Sequence, residues 1–257
     1  MPTGEENPAS GCGCTRTVVV TDLSNEEFLK RYAGVGRIGL SGGVTLIDKA
    51  IARAQRHLDE RGAWGDWSHC FLFEGERADG HHWVVESDLQ IHRKHIALGA
   101  QENRISKYYD EGFYTTLAVL DFGLDEAHSA MLVREALELV ANRSQYSLRE
   151  LLGTFIALHD PKLRGRDNLL ARQQSMYCSA FVQYLYRKAG LDLAPGVHGK
   201  NTTPEDVART AVPHVAYVLR RELVRSKLEK LKVRLQRKAR LRLKRLREVK
   251  RKFRPAI

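Results

Sequence analysis

The sequence predicts an α+β fold with a central antiparallel sheet packed on helices. Two strand-like runs, residues 68–74 and 81–87, flank the turn-rich Gly75-Glu76-Arg77-Ala78-Asp79-Gly80 and read as a hairpin. Leu46, Ile47, Ala50, Ile51, Ala54 and Leu58 recur at helical spacing, so residues 45–60 form an amphipathic helix. A third run, residues 176–189, is helical and is stopped by Gly190, which can adopt the left-handed conformation a helix end needs.

The remaining elements follow in order. β-branched residues 17–21 form a short strand. Ser24 and Glu27 have capping-box spacing and open a helix reaching about Tyr32. The glycine-dense segment from Gly34 to Gly43 contains a G-x-G, but its third glycine is misplaced for dinucleotide binding and no strongly apolar strand precedes it. It reads as turn, strand and turn. Residues 90–94 suggest a further strand and 113–122 a clear one. Asp125 caps a helix carrying Ala127, Met131, Leu132, Ala136, Leu139 and Val140. Residues 148–158 are apolar and helical. Thr203-Pro204-Glu205-Asp206 places a capping Thr, a Pro at the first helical position and acidic first-turn residues, so another short helix follows.

Charge divides the chain of 257 residues. It holds 42 Lys and Arg against 31 Asp and Glu, a formal +11. Residues 219–257 carry 18 Lys and Arg against 3 Glu, a net of +15, which leaves the other 218 residues at −4. A mildly acidic body does not suit a fold that coats nucleic acid. The expected organisation is a flexible leader over residues 1–16, one domain over 17–218 and a basic tail over 219–257. The polar start of the chain does not resemble a signal peptide, and no apolar run is long enough to span a bilayer. A cytoplasmic protein, peripheral at the membrane, is expected.

Three residues bear on chemistry. Cys178 lies where a polar stretch gives way to an apolar helix, in the first helical turn. There the helix dipole favours a thiolate, and unpaired backbone N–H groups can hold an oxyanion. A buried structural cysteine fits the position equally well. His69 stands near the start of an apolar strand, as either a core histidine or a base. Glu86 lies within Trp83-Val84-Val85-Glu86-Ser87, where an unpaired buried carboxylate would be costly. A symmetric loop over residues 75–80 sets His69 directly opposite Glu86, side chains on one face. Glu86 would then orient the imidazole and His69 would serve Cys178, the logic of a nucleophile, a base and an orienting group.

The order of these segments resembles the permuted papain-like branch of the NlpC/P60 superfamily, the YiiX/YaeF-like cysteine hydrolases. A Trp-Ser-His segment leads into an apolar strand, a V-x-E strand follows, and an aromatic-Cys-Ser helix comes last; Thr203-Pro204-Glu205-Asp206 matches a further segment of the family. The likeness covers residues 34–211. It implies a papain-like sheet or partial barrel on helices, with Cys178 as nucleophile, His69 as general base and acid, and Glu86 as orienter. The chain departs at Gly36-Arg37, where the family has Gly-Asp. Tyr177, Ser179 and Trp67 are candidate pocket residues.

The expected activity is therefore a thiol-dependent hydrolase or acyltransferase that cleaves an amide or ester through an acyl-enzyme. Its substrate would be a small molecule, a lipid-like acyl group or a peptidoglycan peptide. A non-catalytic binding module of the same fold is the alternative. No cofactor or metal is expected: His81, His82, His92 and His95 cluster without partners at ligand spacing, and Cys12 and Cys14 supply too few ligands for a closed site. Cys70, next to His69, should face the opposite side of its strand, into the core. The tail reads as an amphipathic basic helix suited to an anionic membrane or an acidic partner; nucleic acid is disfavoured because Phe253 is its only aromatic residue.

Overall fold

Seven strands form one sheet in a computed structural model that describes residues 15–92, 95–142 and 177–220. The strands are β1 (Arg16–Val20), β2 (Ile38–Gly43), β3 (His69–Glu76), β4 (His82–His92), β5 (His95–Arg104), β6 (Tyr114–Asp121) and β7 (Val215–Leu219). Their order across the sheet is β1-β7-β6-β2-β3-β4-β5. All neighbours are antiparallel except β1 and β7, which pair in parallel from Arg16↔Val215 to Val20↔Leu219. The sheet is mixed at that edge rather than wholly antiparallel.

Among the described residues five helices flank it: α1 (Asn25–Tyr32), α2 (Leu46–Ala54), α3 (Glu126–Ala141), α4 (Cys178–Lys188) and α5 (Pro204–Ala208). Three begin with reciprocal capping boxes, Ser24 with Glu27, Thr45 with Asp48 and Thr203 with Asp206. In each, two of the N–H groups that a helix start leaves unpaired are satisfied locally. Short-range chemistry thus fixes where these helices begin, and packing fixes where they go.

The sheet is buried on both faces. On one, Leu40, Cys70, Leu72, Val85 and Ala118 meet Leu132 of α3, Phe181 and Leu185 of α4, and Val207 of α5. On the other, Phe71, Phe73, Val84 and Val119 meet Phe28 and Leu29 of α1 and Tyr108 of a 3-10 turn at Ile105–Tyr109. Gly39 is needed for the second face. It pairs with Phe71, and a Cβ there would come within 2.1 Å of the Phe71 ring. Without a side chain the strand lets that ring lie across it and stack on Tyr108, with centroids 4.2 Å apart.

Several expectations are corrected. α2 ends at Ala54 and continues only as a 3-10 turn, Gln55–Leu58. Residues 90–94 do not make a separate strand: β4 runs on to His92 and pairs along its length with β5, an element the sequence did not suggest. The hairpin loop is shorter than expected, closed by Arg77 N–H donating to the His81 carbonyl. Leu219 does not begin the tail; it ends β7, buried against the second face. The segment at Arg37 follows a left-handed Gly36, and Arg37 pairs with Asp121 at 2.5 Å. The chain divides into two compact units, Met1–Arg220 and Arg221–Ile257. The leader expected over residues 1–16 lies almost wholly outside the described residues, as do the helix expected over 148–158 and the tail beyond Arg220. Among the described residues no helix is long and apolar enough to cross a membrane.

Candidate active site

β3, β4, α4 and the Ile105–Tyr109 turn converge on one cavity of about 180 Å³. Cys178 and His69 line it together with Tyr177, Ser68, Ser87, Asp88, Lys107 and Tyr108, and Ile47, Ile51 and Phe113 form apolar walls.

Cys178 is the first residue of α4, and Tyr177 before it does not cap the helix through its side chain. The first-turn N–H groups have no acceptor within the helix. They lie at the positive end of the helix dipole, where negative charge is favoured. The residue after the cap is the sulfur-bearing position, and it lines the cavity.

The strand pairing differs from the symmetric hairpin. Leu72 faces Val85 and Phe73 faces Val84, and the register shifts at a bulge before Gly75, which has a φ of 116°. This is a slip of two residues from the expected register. An even slip keeps every side chain on its face, so His69 and Glu86 become diagonal neighbours instead of directly opposed ones. Diagonal partners remain within reach of long side chains, and His69 Nε2 meets Glu86 Oε2 at 2.5 Å.

Glu86 is fully buried and has four partners. Besides His69, it accepts from Tyr108 Oη at Oε2, and from Asn103 Nδ2 and Lys107 Nζ at Oε1, the last two at 2.7 Å. Burial opposes its ionisation, but the Lys107 charge and then the His69 hydrogen bond and charge outweigh burial, so the carboxyl is held well below its ordinary range. Lys107 also binds Asp88 at 2.6 Å. Burial would lower its ammonium pKa, but the charges of Glu86 and Asp88 raise it above the usual lysine value. The sequence signal for these partners was the carboxylate itself, since a buried one demands donors. Their identities came from β5 and a 3-10 turn that the sequence pattern did not reveal.

Glu86 takes the Nε2 nitrogen of His69, and the ring lines the cavity together with Cys178. Burial works against the imidazolium, yet the Cys178 charge and hydrogen bond, followed by Glu86, raise its pKa well above the usual histidine value. The Cys178 thiol is shifted the opposite way, well below its ordinary value. The foremost cause is a hydrogen bond from the Cys70 thiol; burial opposes it, and the His69 charge and hydrogen bond and the Cys70 backbone N–H add to it. The combination favours a thiolate beside an imidazolium. Cys70 lies in the core as its strand position suggested, but that part of the core is the floor under the sulfur. Its own thiol is pushed well up by burial and by Cys178, so it remains a donor.

The three pocket candidates separate. Tyr177 lines the cavity, and its hydroxyl donates to the Thr202 carbonyl at 2.6 Å. Ser179 and Trp67 do not line it. Ser179 is buried one residue beyond the cysteine and donates to the same carbonyl at 2.7 Å. Trp67 packs in the core, where its carbonyl accepts from Gln55 Nε2 at 2.7 Å. Among the described residues no group of three or more His, Cys, Asp or Glu is placed to hold a metal ion; the side chains of His92 and His95 lie outside them.

Searches with the sequence matched no family model and no curated protein. The solved structures that match include one from a bacterium. It is the metalloprotein yiiX of Escherichia coli O157:H7, 15% identical in sequence, with a TM-score of 0.45 over 74% of this chain and 98% of that one.

Proposed function

We propose that the protein is a thiol-dependent hydrolase or acyltransferase of the permuted papain-like kind, acting on an amide or ester through an acyl-enzyme on Cys178. The observation that carries this reading is that Cys178 and His69 line one cavity, with the imidazole held by a fully buried Glu86. A structural cysteine has no need of an imidazole held by a carboxylate with four donors.

The chemistry follows from the groups present. The Cys178 thiolate attacks the substrate carbonyl carbon, and the carbonyl π electrons move onto oxygen. The Cys178 backbone N–H, unpaired within the helix, donates to that oxyanion. His69 gives its proton to the departing amine or alkoxide as the carbon–heteroatom bond breaks, leaving a thioester and a neutral imidazole. His69 then takes a proton from water, or from an acceptor alcohol or amine, which attacks the thioester. Collapse of that second intermediate frees the acyl product and restores thiolate and imidazolium. Glu86 stays ionised throughout and holds the ring.

The apolar walls formed by Ile47, Ile51 and Phe113 favour an acyl group over a charged peptide. The decisive measurement is turnover of a water-soluble activated ester, with mass spectrometry of the trapped intermediate. The acyl mass should appear on Cys178, and Cys178→Ala should lose at least about 10³-fold in rate with an unchanged circular dichroism spectrum. Turnover retained by Cys178→Ala would end this reading. Absence of acylation in the parent would favour the binding module.

A further inference from the structure

The mouth of the cavity is lined by side chains that the fold leaves in water. Ile47 and Phe113 both line the cavity and are 46% and 55% exposed. Val44, whose N–H donates to the Phe113 carbonyl at 3.1 Å, is 39% exposed. Leu46, next to Ile47, is 85% exposed. These four large apolar residues form one lip rather than scattered singletons. A contiguous exposed apolar patch at a cavity entrance marks a surface that meets something apolar.

α2, which supplies much of that lip, is amphipathic and yet has no buried residue. Its exposed positions include Leu46 and Ala50, one helical turn apart, and the flanking Lys49 and Arg53; Arg56 follows in the 3-10 turn and is exposed as well. The helix's one acidic residue, Asp48, is turned inward. It caps the helix with Thr45 and accepts from Ser68 at 2.7 Å. On the Phe113 side, Asp110 is occupied by the Gly112 and Phe113 N–H groups and Glu111 accepts from the Asn25 N–H. The outer face of α2 thus combines apolar side chains with basic ones, the pattern of a helix lying in a lipid interface.

We propose that α2 and Phe113 form the edge by which the protein rests on an anionic phospholipid bilayer. Leu46, Ile47, Val44 and Phe113 enter the acyl boundary, and Lys49, Arg53 and Arg56 meet headgroups. A substrate carbonyl then passes from bilayer to cavity between Ile47 and Phe113 without crossing water. An anionic bilayer is the occupant that satisfies both halves of the surface, whereas an apolar protein groove would leave the flanking cations unmatched. Residues 219–257 carry the same sign of charge and so suit the same kind of partner. The substrate route rests on the thiol-hydrolase reading; the docking surface does not.

Two measurements separate them, both on the full chain. In a Cys178→Ser background, Leu46→Trp is mixed with vesicles of phosphatidylcholine and phosphatidylglycerol bearing brominated chains. Its emission should shift to the blue and be quenched well beyond the Leu46 parent, and much less with phosphatidylcholine alone. Vesicle binding without quenching at position 46 would overturn the proposal, because contact would then be made elsewhere. Equal quenching on both vesicle types would overturn its electrostatic half, and concentration-dependent self-association abolished by Leu46→Glu would name a second copy as the occupant instead. In the active protein, the double variant Leu46→Glu and Lys49→Glu should turn over a water-soluble ester as the parent does. It should act at least tenfold more slowly on the same ester carried in anionic vesicles; equal rates on vesicles would overturn the proposal. Failure of the parent on the soluble ester would instead count against the chemistry and leave the quenching result standing.

Discussion

The cavity has two walls built on opposite principles. The strand wall, from β3, β4 and the Ile105–Tyr109 turn, sets a carboxylate at zero exposure and gives it four donors. The helix wall, α2, buries none of its residues and shows leucine and isoleucine to solvent. A buried charge is tolerated only when every partner is in place, so the first wall is intolerant of change. The second is tied down by its capping box, by Asp48 accepting from Ser68 and by the Gly65 N–H donating to the Ala52 carbonyl. On the proposed reading, reaction chemistry lies where the core enforces geometry, and contact with a bilayer lies where it does not.

The sharpest way to break that contrast is Glu86→Gln. An amide cannot satisfy His69, Lys107, Tyr108 and Asn103 together, because its NH₂ group meets donors. Turnover should fall by about 10²–10⁴-fold as the imidazole loses its orienting charge. The Lys107 ammonium loses one of its two carboxylate partners, so unfolding free energy should drop by about 3 kcal/mol. The pH dependence has a definite sign. The folded-state pKa of Glu86 lies below its ordinary value, so its contribution is complete above the usual carboxylate range and is lost as pH falls toward the lowered value. Denaturant melts of parent and variant should therefore converge as the medium is acidified. A gap that widens in acid would show that the carboxylate is not held ionised.

The next effect is smaller and tests the floor of the site. The Cys70 thiol and backbone N–H both favour the Cys178 thiolate, the thiol more strongly. Cys70→Ala removes the first and keeps the second, so the nucleophile should lose part of its thiolate character. Alkylation of Cys178 by iodoacetamide at pH 6 should slow by about threefold to tenfold and recover as pH rises. Cys70→Ser, which restores a donor, should recover most of the rate. A purely packing role would slow both variants alike at every pH.

What the sequence revealed, and what it did not, follows the same division. Two helix starts were legible because capping is local: Ser24 and Thr203 each find their partner three residues on, whereas the box of Thr45 with Asp48 went unread and α2 was found from its apolar spacing. β5 was not legible. His-Ile-Ala-Leu-Gly-Ala-Gln-Glu-Asn-Arg alternates poorly and is a strand because ten of its residues pair with β4. β7 was hidden for a related reason: Leu219 continues an apolar rhythm into the basic tail, and only its non-local partners Leu117 and Val20 assign it to the sheet. In the site, Cys178, His69 and Glu86 could be named from helix-start position, strand position and the cost of a buried carboxylate. Lys107, Tyr108 and Asn103 could not, since no spacing along the chain relates them to Glu86. The hairpin was read two residues out of register because the bulge at Gly75 leaves no clear pattern, and the site survived that error because the slip was even.

The smallest expected effect asks whether Tyr177 belongs to the intolerant wall or merely borders the cavity. Its hydroxyl donates to the Thr202 carbonyl, but so does the Ser179 hydroxyl. Removing one of two donors leaves the acceptor satisfied, so Tyr177→Phe should cost only about 0.5–1.5 kcal/mol in unfolding free energy. The ring that lines the cavity remains, and kcat for a soluble ester should stay within about twofold. Ser179→Ala should behave similarly alone, whereas the double variant strands a buried carbonyl and should lose more than the two singles combined. Additive losses would mean that the Thr202 carbonyl reaches water. A large fall in kcat for Tyr177→Phe alone would mean that the hydroxyl leaves Thr202 during the reaction and touches the substrate.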